Sequence, residues 1–219
     1  MASNKNTRKS QKRPYTQRAR ARRREDVHQR ITKAAVYLHG SIGPARTTVS
    51  DIARRAGVRR ATVYNHFSSD FELFDACSSL WFGENPPPDP TDWVVISDPS
   101  ERIATALEAM YEYYGRGKDM LEKVFRDSPQ VPALQEILHE KWQPLLQTMV
   151  EILAQGWDDS ERDDGLKMRA ILRVVLNFFT WQTLADSGLS MREAAHLAAT
   201  WVQMIGSSPQ KYLTGYNRE

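Results

Sequence analysis

Apolar residues recur at intervals of three or four along most of this chain, and that spacing restricts it to helical folds. An early example is the set Val27, Ile31, Ala34, Ala35 and Leu38. Apart from a short patch at 94–96, no segment of strand length alternates apolar and polar residues. The 219 residues are 41% hydrophobic, enough for a buried core. We therefore predict an all-α protein.

Capping residues divide the first third of the chain into short helices. Thr48, with Asp51 three positions later, has the pattern of a capping box, and Gly57 follows where a left-handed residue ends a helix. Ser69 and Glu72 repeat the pattern at the start of a further helix. The sequence predicts a first helix ending at Gly40, a second before Gly57, a third over about 60–67 and a fourth over about 69–81.

Charge separates one end of the chain from the rest. Residues 1–24 contain ten Lys or Arg and no acidic residue, so residues 25–219 contain 20 basic and 27 acidic residues. A dense cationic arm on an acidic body favours a polyanionic partner, because neutralised phosphates release condensed counterions. We expect this arm to be flexible.

Composition and caps divide the chain into four parts. They are a flexible basic arm (1–24), a helix-turn-helix domain that includes the start of the fourth helix (25–83), a proline-rich linker (84–97) and a C-terminal helical domain for effector binding and dimerisation (98–219). In the last part we expect a helix after Asp98, a shorter one over 117–126, a long one kinked at Pro144, one over 164–187 closed by Gly188, and a last one capped by Ser190 and Glu193.

Two short helices joined by a turn at Gly57 have the form of a helix-turn-helix, in which the second helix enters the major groove of DNA. Arg59 and Arg60 open the second helix and can each donate two hydrogen bonds to guanine, and Asn65 can pair similarly with adenine. Contacts to phosphate are expected from the remaining polar and basic residues nearby, which are Arg46, Thr48, Tyr64, His66 and, on the basic arm, Arg22, Arg23 and Arg24.

The stretches TTVSDIARRAGV (47–58) and TVYNHF (62–67) resemble the DNA-binding domain of the TetR family, and matching positions extend over about residues 27–75. Two positions depart from the family pattern. Ala61 stands where glycine is frequent, and its methyl group could meet a thymine; Thr62 lies beside it in the predicted reading helix. Asp70 stands where a phosphate-binding lysine is frequent. The resemblance implies a DNA-binding transcriptional regulator, and a repressor is the form we expect.

The C-terminal domain combines aromatic and methionine side chains with a few polar groups, as small-molecule sites do. The resemblance implies an effector pocket there, and we expect a small hydrophobic or aromatic effector. The candidate pocket residues are Trp81, Met110, Tyr113, Tyr114, Phe125, Trp142 and Met149.

The last two predicted helices carry apolar residues on more than one face. We expect one face to pack against their own domain and the other against a second subunit. TetR-like proteins pair in this way, which implies a homodimer on a palindromic operator. The candidate interface residues are Ile171, Val175, Phe178, Phe179, Ala194, Ala198, Trp201 and Ile205.

Other functional classes find less support in the sequence. We predict no enzyme, metal or cofactor, since the five histidines show no ligand spacing and no phosphate-binding glycine loop or nucleophile elbow occurs. No apolar run is long enough for a membrane span, and the single cysteine, Cys77, fits a buried position in a reducing cytoplasm. The alternative function is an architectural DNA-binding protein that has the same reader but no effector.

Overall fold

The computed structural model describes residues 8–157 and 162–206. Regular structure within these ranges is entirely helical, which confirms the predicted fold class. The α-helices are α1 (Arg8–Ser41), α2 (Val49–Ala56), α3 (Arg60–His66), α4 (Asp70–Glu84), α5 (Pro99–Asp127), α6 (Pro132–Ile137), α7 (Gln143–Ala154), α8 (Arg162–Val175), α9 (Phe178–Asp186) and α10 (Met191–Gly206).

The described chain forms two compact units. The first comprises residues 8–84 together with Lys123–Leu134, and the second comprises Asn85–Glu122 and the described residues from Gln135 onward. The proline-rich segment predicts a domain boundary, but it does not predict that Lys123–Leu134 belongs to the first unit. That segment is distant in sequence from α1–α4, so no local pattern reveals it.

The prediction of a flexible arm is wrong over Arg8–Arg24, because these residues form the N-terminal half of α1. The segment is rich in Arg, Lys, Gln and Ala, which have high helix propensity, and it lacks glycine. The basic residues from Arg18 to Arg24 are mostly exposed along this helix. Residues 1–7 of the predicted arm lie outside the described residues.

The first unit is built on a small apolar core contributed by α1–α4. Its buried members are Ile31, Ala34, Ala35, Ile52, Ala53, Ala56, Val63, Phe67, Leu73 and Cys77. Burial raises the pKa of the Cys77 thiol to about 12, so the buried structural position predicted for this residue is confirmed.

The turn before α2 is held by a buried carboxylate. Asp127, at the end of α5, is 3% exposed, accepts a hydrogen bond from the Ala45 N–H at 3.1 Å and pairs with Arg126 at 2.7 Å. Gly43 has φ +94°, and a Cβ there would collide with the Asp127 carboxylate and the Arg126 guanidinium. Glycine is therefore required at this position for both conformation and space.

In the second unit, the segment predicted as a linker is folded over part of its length. A 3₁₀ turn covers Pro90–Trp93, and Trp93 is 3% exposed. The buried Arg102 donates hydrogen bonds to the carbonyl of Ile96 at 2.8 and 3.0 Å and to the carbonyls of Ile152 and Gln155 at 3.2 and 3.0 Å. Three carbonyls from two segments thus satisfy this guanidinium.

The helices of the second unit partly match the predictions. The expected break before 117 is absent, because α5 runs unbroken from Pro99 to Asp127. The interruption near Pro144 is present as a π-helical turn over Leu138–Trp142. Proline has no N–H for the carbonyl four residues earlier, so the regular ladder cannot pass through it.

The helix predicted over 164–187 is instead two helices, α8 and α9, which break at Leu176 and Asn177. The Asn177 side chain caps α9 by accepting a hydrogen bond from the Phe179 N–H at 2.8 Å. The predicted Ser190–Glu193 cap of α10 is confirmed: the Ser190 N–H donates to Glu193 at 2.9 Å, and the Glu193 N–H donates to Ser190 Oγ at 3.3 Å. In the described ranges, no helix has the length and apolar character needed to cross a membrane.

Candidate nucleic-acid interface

Helices α2 and α3 are joined by a tight turn at Gly57. Gly57 adopts φ +66°, its N–H bonds back to α2, and the Val58 N–H donates to the Ala53 carbonyl at 3.0 Å. The Arg30 guanidinium, from α1, donates to the carbonyls of Ala56 and Gly57 and so supplies a cation at the C-terminus of α2. The arrangement fixes the angle at which α3 leaves α2.

One side of α3 is buried and the other faces outward. Val63 is 2% exposed and Phe67, just after the helix, is 4% exposed, so both belong to the core. The residues turned outward share one face because they are spaced one and four positions apart. They are Arg60, Ala61, Tyr64 and Asn65.

Two of these outward side chains hold each other in place. The Arg60 guanidinium donates to Tyr64 Oη at 3.0 Å and lies 5.5 Å from the centre of that ring. Arg59 is the exposed N-cap residue of α3, and Thr62 is half-buried. All predicted base-contacting side chains, Arg59, Arg60 and Asn65, are therefore at the surface of the first unit.

The start of α2 carries two predicted phosphate contacts. Thr48 is its exposed N-cap residue: its oxygen accepts from the Asp51 N–H at 3.2 Å, and the Thr48 N–H donates to the Asp51 carboxylate at 3.3 Å. Hydrogen bonds from the Thr48 side chain and backbone hold the pKa of Asp51 below its usual range, with a smaller contribution from Arg54. Arg46 is exposed on the 3₁₀ turn Pro44–Arg46.

The remaining predicted DNA contacts lie on α1 and at the end of α3. Arg22, Arg23 and Arg24 are exposed on α1. His66, the last residue of α3, is half-buried and its ring centre lies 6.1 Å from that of His28 on α1. Partial burial lowers the pKa of His66, and the charges of Arg24 and His28 lower it further while Glu25 opposes them.

The second unit contains a buried aromatic cluster formed by α5, α9 and the π-helical turn. Its members are Tyr111, Tyr113, Tyr114, Trp142, Phe178 and Trp181. Tyr111 donates its hydroxyl proton to the Val175 carbonyl at 2.9 Å, and Tyr114 donates to the Leu176 carbonyl at 2.6 Å. These carbonyls lie at the α8–α9 break and have lost helical partners, so the tyrosines stabilise the break.

The predicted pocket residues separate between the two units. Tyr113, Tyr114 and Trp142 come together in the aromatic cluster, and Met110 and Met149 are fully buried in the same unit. Trp81 and Phe125 instead belong to the first unit, because α4 and the end of α5 fold with α1–α3. The assignment of all seven residues to one pocket stays a prediction.

The predicted interface residues divide by exposure. Val175, Phe178, Ala194 and Ala198 are at most 3% exposed and are covered by their own chain, which corrects their assignment to an outer face. Their helices use these positions to pack within the unit. Phe179 and Ile205 are 45% and 40% exposed, and Ile171 and Trp201 are half-buried. Further exposed apolar side chains of α8 and α10 are Leu166, Val174 and Met204.

Some structural contributions have no local signal in the sequence. Arg30 holds the end of α2 from 26 residues away, and His28 lies beside the recognition helix although it stands 38 positions earlier. Tyr111 and Trp181 complete the aromatic cluster. Among the described residues, no group of three or more His, Cys, Asp or Glu side chains is placed to hold a metal ion.

Comparison with known proteins identifies one segment of the first unit. Residues 31–77, which contain α2, α3 and the turn between them, match the family described as bacterial regulatory proteins, tetR family. Residues 31–77 therefore form a DNA-binding domain of the TetR type. Among curated proteins none matches it significantly.

Solved TetR-family structures share the fold beyond the matched residues. A TetR-like transcriptional regulator from Rhodococcus sp. RHA1 is 19% identical, with a TM-score of 0.57 over 81% of this chain and 94% of that chain. The TetR-family regulator PfmR from Thermus thermophilus is also 19% identical, with a TM-score of 0.51 over 80% and 96%. A candidate TetR-family regulator from Mesorhizobium loti MAFF303099 is 16% identical, with a TM-score of 0.59 over 84% and 96%. The chain thus shares the helical fold of these structures.

Proposed function

We propose that this protein is a transcriptional repressor that binds a palindromic DNA operator as a homodimer and is released by a small hydrophobic or aromatic effector. The observation that carries the proposal is the outward row of α3, where Arg60, Ala61, Tyr64 and Asn65 are exposed beside a buried Val63. A stable scaffold that presents base-reading donors on one helix face suits the major groove. Such a regulator would act where its DNA lies, in the bacterial cytoplasm, and without catalysing a reaction.

Base reading is assigned to Arg59, Arg60 and Asn65, and Ala61 is assigned to a thymine methyl group. Arg60 is oriented by its bond to Tyr64 Oη, which limits its rotamers before DNA arrives and so reduces the entropy lost on binding. Arg46, Thr48, Thr62, Tyr64 and the α1 arginines would position the reader on phosphates.

The homodimer is supported by the exposed apolar side chains of α8, α9 and α10. Val174, Phe179, Met204 and Ile205 are all at least 40% exposed, and side chains of this kind are stabilised by burial in a subunit interface. A two-fold axis would then present two copies of α3 to successive major grooves, about 34–36 Å apart.

The effector is assigned to the second unit because its core is aromatic. The stacked Tyr113 and Trp142 rings, 6.1 Å apart and inclined by 21°, offer flat apolar surfaces to an aromatic molecule. A ligand releases DNA only if it binds more tightly to a conformation in which the readers are misplaced.

Selection from a random duplex library tests the DNA-binding proposal. The wild-type protein should enrich one palindromic sequence, and Arg60→Ala and Asn65→Ala should each weaken binding to it by roughly 1 to 3 kcal/mol and relax one position per half-site. Arg192→Ala, which removes an exposed cation of the second unit, is the matched control. An equal loss on the selected and scrambled duplexes would place Arg60 and Asn65 on phosphates instead.

Analytical ultracentrifugation tests the dimer. Val174→Glu places a charge on the exposed face of α8 and should shift the protein to monomer, whereas Val95→Glu, at an 83% exposed position of the same unit, should not. A dimer that withstands Val174→Glu would exclude this face of α8.

Release of labelled operator by small hydrophobic and aromatic compounds tests the effector. Trp142→Ala should blunt the response to an active compound and leave unliganded operator binding unchanged. If no compound changes operator affinity, the architectural alternative, a DNA-binding protein without an effector, is favoured.

A further inference from the structure

The end of the recognition helix meets α1 at a cluster of basic and imidazole side chains. The His28 and His66 rings lie 6.1 Å apart, inclined by 55°, and the His28 ring packs 4.5 Å from that of Phe67. Arg24 precedes His28 by one helical turn and is exposed. Phe67 is buried in the core, so its contact restrains the His28 ring on one side.

The charges around His66 disfavour its protonation in the free protein. Those that act on it come from α1: Arg24 and His28 lower its pKa in addition to partial burial, and the Glu25 carboxylate alone raises it. An anion placed between the two rings and Arg24 would reverse this balance, because it would attract the protonated form of each imidazole.

The geometry fits a tetrahedral anion. An imidazole N–H bonds an oxygen at about 2.9 Å, so two rings 6.1 Å apart can each donate to a different oxygen of one phosphate. A bound cation is disfavoured by Arg24. Arg22 and Arg23 on α1 and Arg60 at the start of α3 are further exposed cations of the same unit, and a polyanion can contact several cations at once.

We propose that Arg24, His28 and His66 form a binding site for one phosphodiester group of the DNA backbone, and that DNA binding draws protons onto the two histidines. The inference rests on the proposed DNA-binding function and deepens it: it adds His28 to the interface and couples operator affinity to pH. The association constant falls tenfold per unit rise in pH for each additional proton that the complex binds relative to the free protein.

Fluorescence anisotropy of the selected operator tests this at constant ionic strength between pH 6 and 8.5, with the fold monitored by circular dichroism. The wild-type association constant should fall as pH rises, and His28→Gln and His66→Gln should each flatten the dependence. His66→Arg should flatten it while retaining affinity at high pH. His139→Gln, an exposed histidine of the second unit, is the control and should leave the dependence unchanged.

Two further measurements do not depend on the variants. The imidazole pKa values of His28 and His66, followed by NMR, should rise when operator is added. The slope of log affinity against log salt should be steeper at pH 6 than at pH 8, because charged histidines neutralise additional phosphate. If sodium phosphate raises both imidazole pKa values and operator does not, the site binds free phosphate and the proposal is overturned.

Operator binding that is independent of pH, or equally dependent in both glutamine variants and the wild type, would overturn the inference and leave the DNA-binding proposal intact. Failure of the wild-type protein to bind any selected duplex would instead refute the proposed function itself.

Discussion

The outer face of α3 and the aromatic cluster of the second unit differ in what their side chains must do. Arg60 and Asn65 point away from the protein, so their chemistry is directed at a partner. Tyr114 and Trp181 are at most 2% exposed, and their contacts are with other parts of the same chain. The role of an exposed residue on α3 can be inferred from its type and its position. The role of a buried residue in the aromatic cluster can be inferred only when its neighbours are known.

This difference predicts that substitutions in the two regions separate stability from recognition. Changes in the aromatic cluster should alter the free energy of unfolding and leave base preference unchanged. Changes on α3 should do the reverse. The following measurements test that separation at fixed protein concentration, because a dimer's stability depends on concentration.

Trp181→Ala should have the largest effect on stability, about 3–5 kcal/mol in chemical denaturation, because it leaves a cavity beside Tyr114 and Phe178. Trp181→Phe should lower the stability less than Trp181→Ala. The buried Trp181 Nε1 has no hydrogen-bond partner within the described residues, and the substitution removes this unpaired N–H. Val95→Ala is the exposed control. An equal cost for alanine and phenylalanine would mean that the indole N–H is satisfied in solution.

His39 should make the first unit sensitive to acid. It is 5% exposed and stacked on Phe74 at 4.9 Å, and burial lowers its pKa to about 4 although Asp127 opposes the shift. Below pH 6.5 His39 is protonated in the unfolded chain but stays neutral in the folded chain. The free energy of unfolding therefore falls between pH 6.5 and about 4, by about 3 kcal/mol in total.

Comparing urea denaturation of His39→Leu with wild type across this pH range isolates the effect, and His139→Leu is the control because His139 is exposed. A wild-type protein whose acid sensitivity equals that of His39→Leu would show that His39 protonates in the folded state at its ordinary pKa.

Tyr114→Phe should destabilise the protein by about 1–3 kcal/mol, because the Leu176 carbonyl loses its donor at the α8–α9 break. Tyr111→Phe should act similarly through Val175. Thermal denaturation measures both, and Tyr37→Phe, at a position 53% exposed, should have little effect. No loss in either buried variant would indicate that water replaces the hydroxyl group.

Removing matched N-caps should give the smallest effect and the sharpest comparison. Thr48→Ala and Ser190→Ala should each cost about 1 kcal/mol of stability, since both residues cap a helix with a partner three positions later. Only Thr48→Ala should also weaken operator binding, because α2 supports the reading helix. If Ser190→Ala weakened operator binding equally, cap loss would be acting through global unfolding.

The sequence predicted most of the first unit because its signals are local. Thr48 and Asp51 lie three positions apart and form the predicted capping box, and Gly57 adopts the predicted left-handed conformation. The spacing of Ile52, Ala53 and Ala56 matches their burial. Each of these features depends on residues within about one helical turn of each other, so the local sequence is sufficient to predict it.

The errors arose where helix formation depends on distant partners. The break between α8 and α9 is stabilised by Tyr111 and Tyr114, more than 60 positions earlier. In the predicted linker, Trp93 is buried and the Ile96 carbonyl accepts hydrogen bonds from Arg102. The charge of the basic segment 8–24 favours a flexible arm, but its high helix propensity prevails and the segment is helical.

The sequence by itself determined the helical class, the turn at Gly57 and the identities of the side chains on the reading helix, because helix periodicity and capping are set by neighbouring residues. The tertiary structure decided which apolar side chains are covered and which groups meet across the chain. Val175 and Phe178 became core while Val174 and Phe179 remained exposed. His28 came to lie beside His66. Burial and proximity between distant segments are properties of packing, and they are fixed only when all the helices are in place.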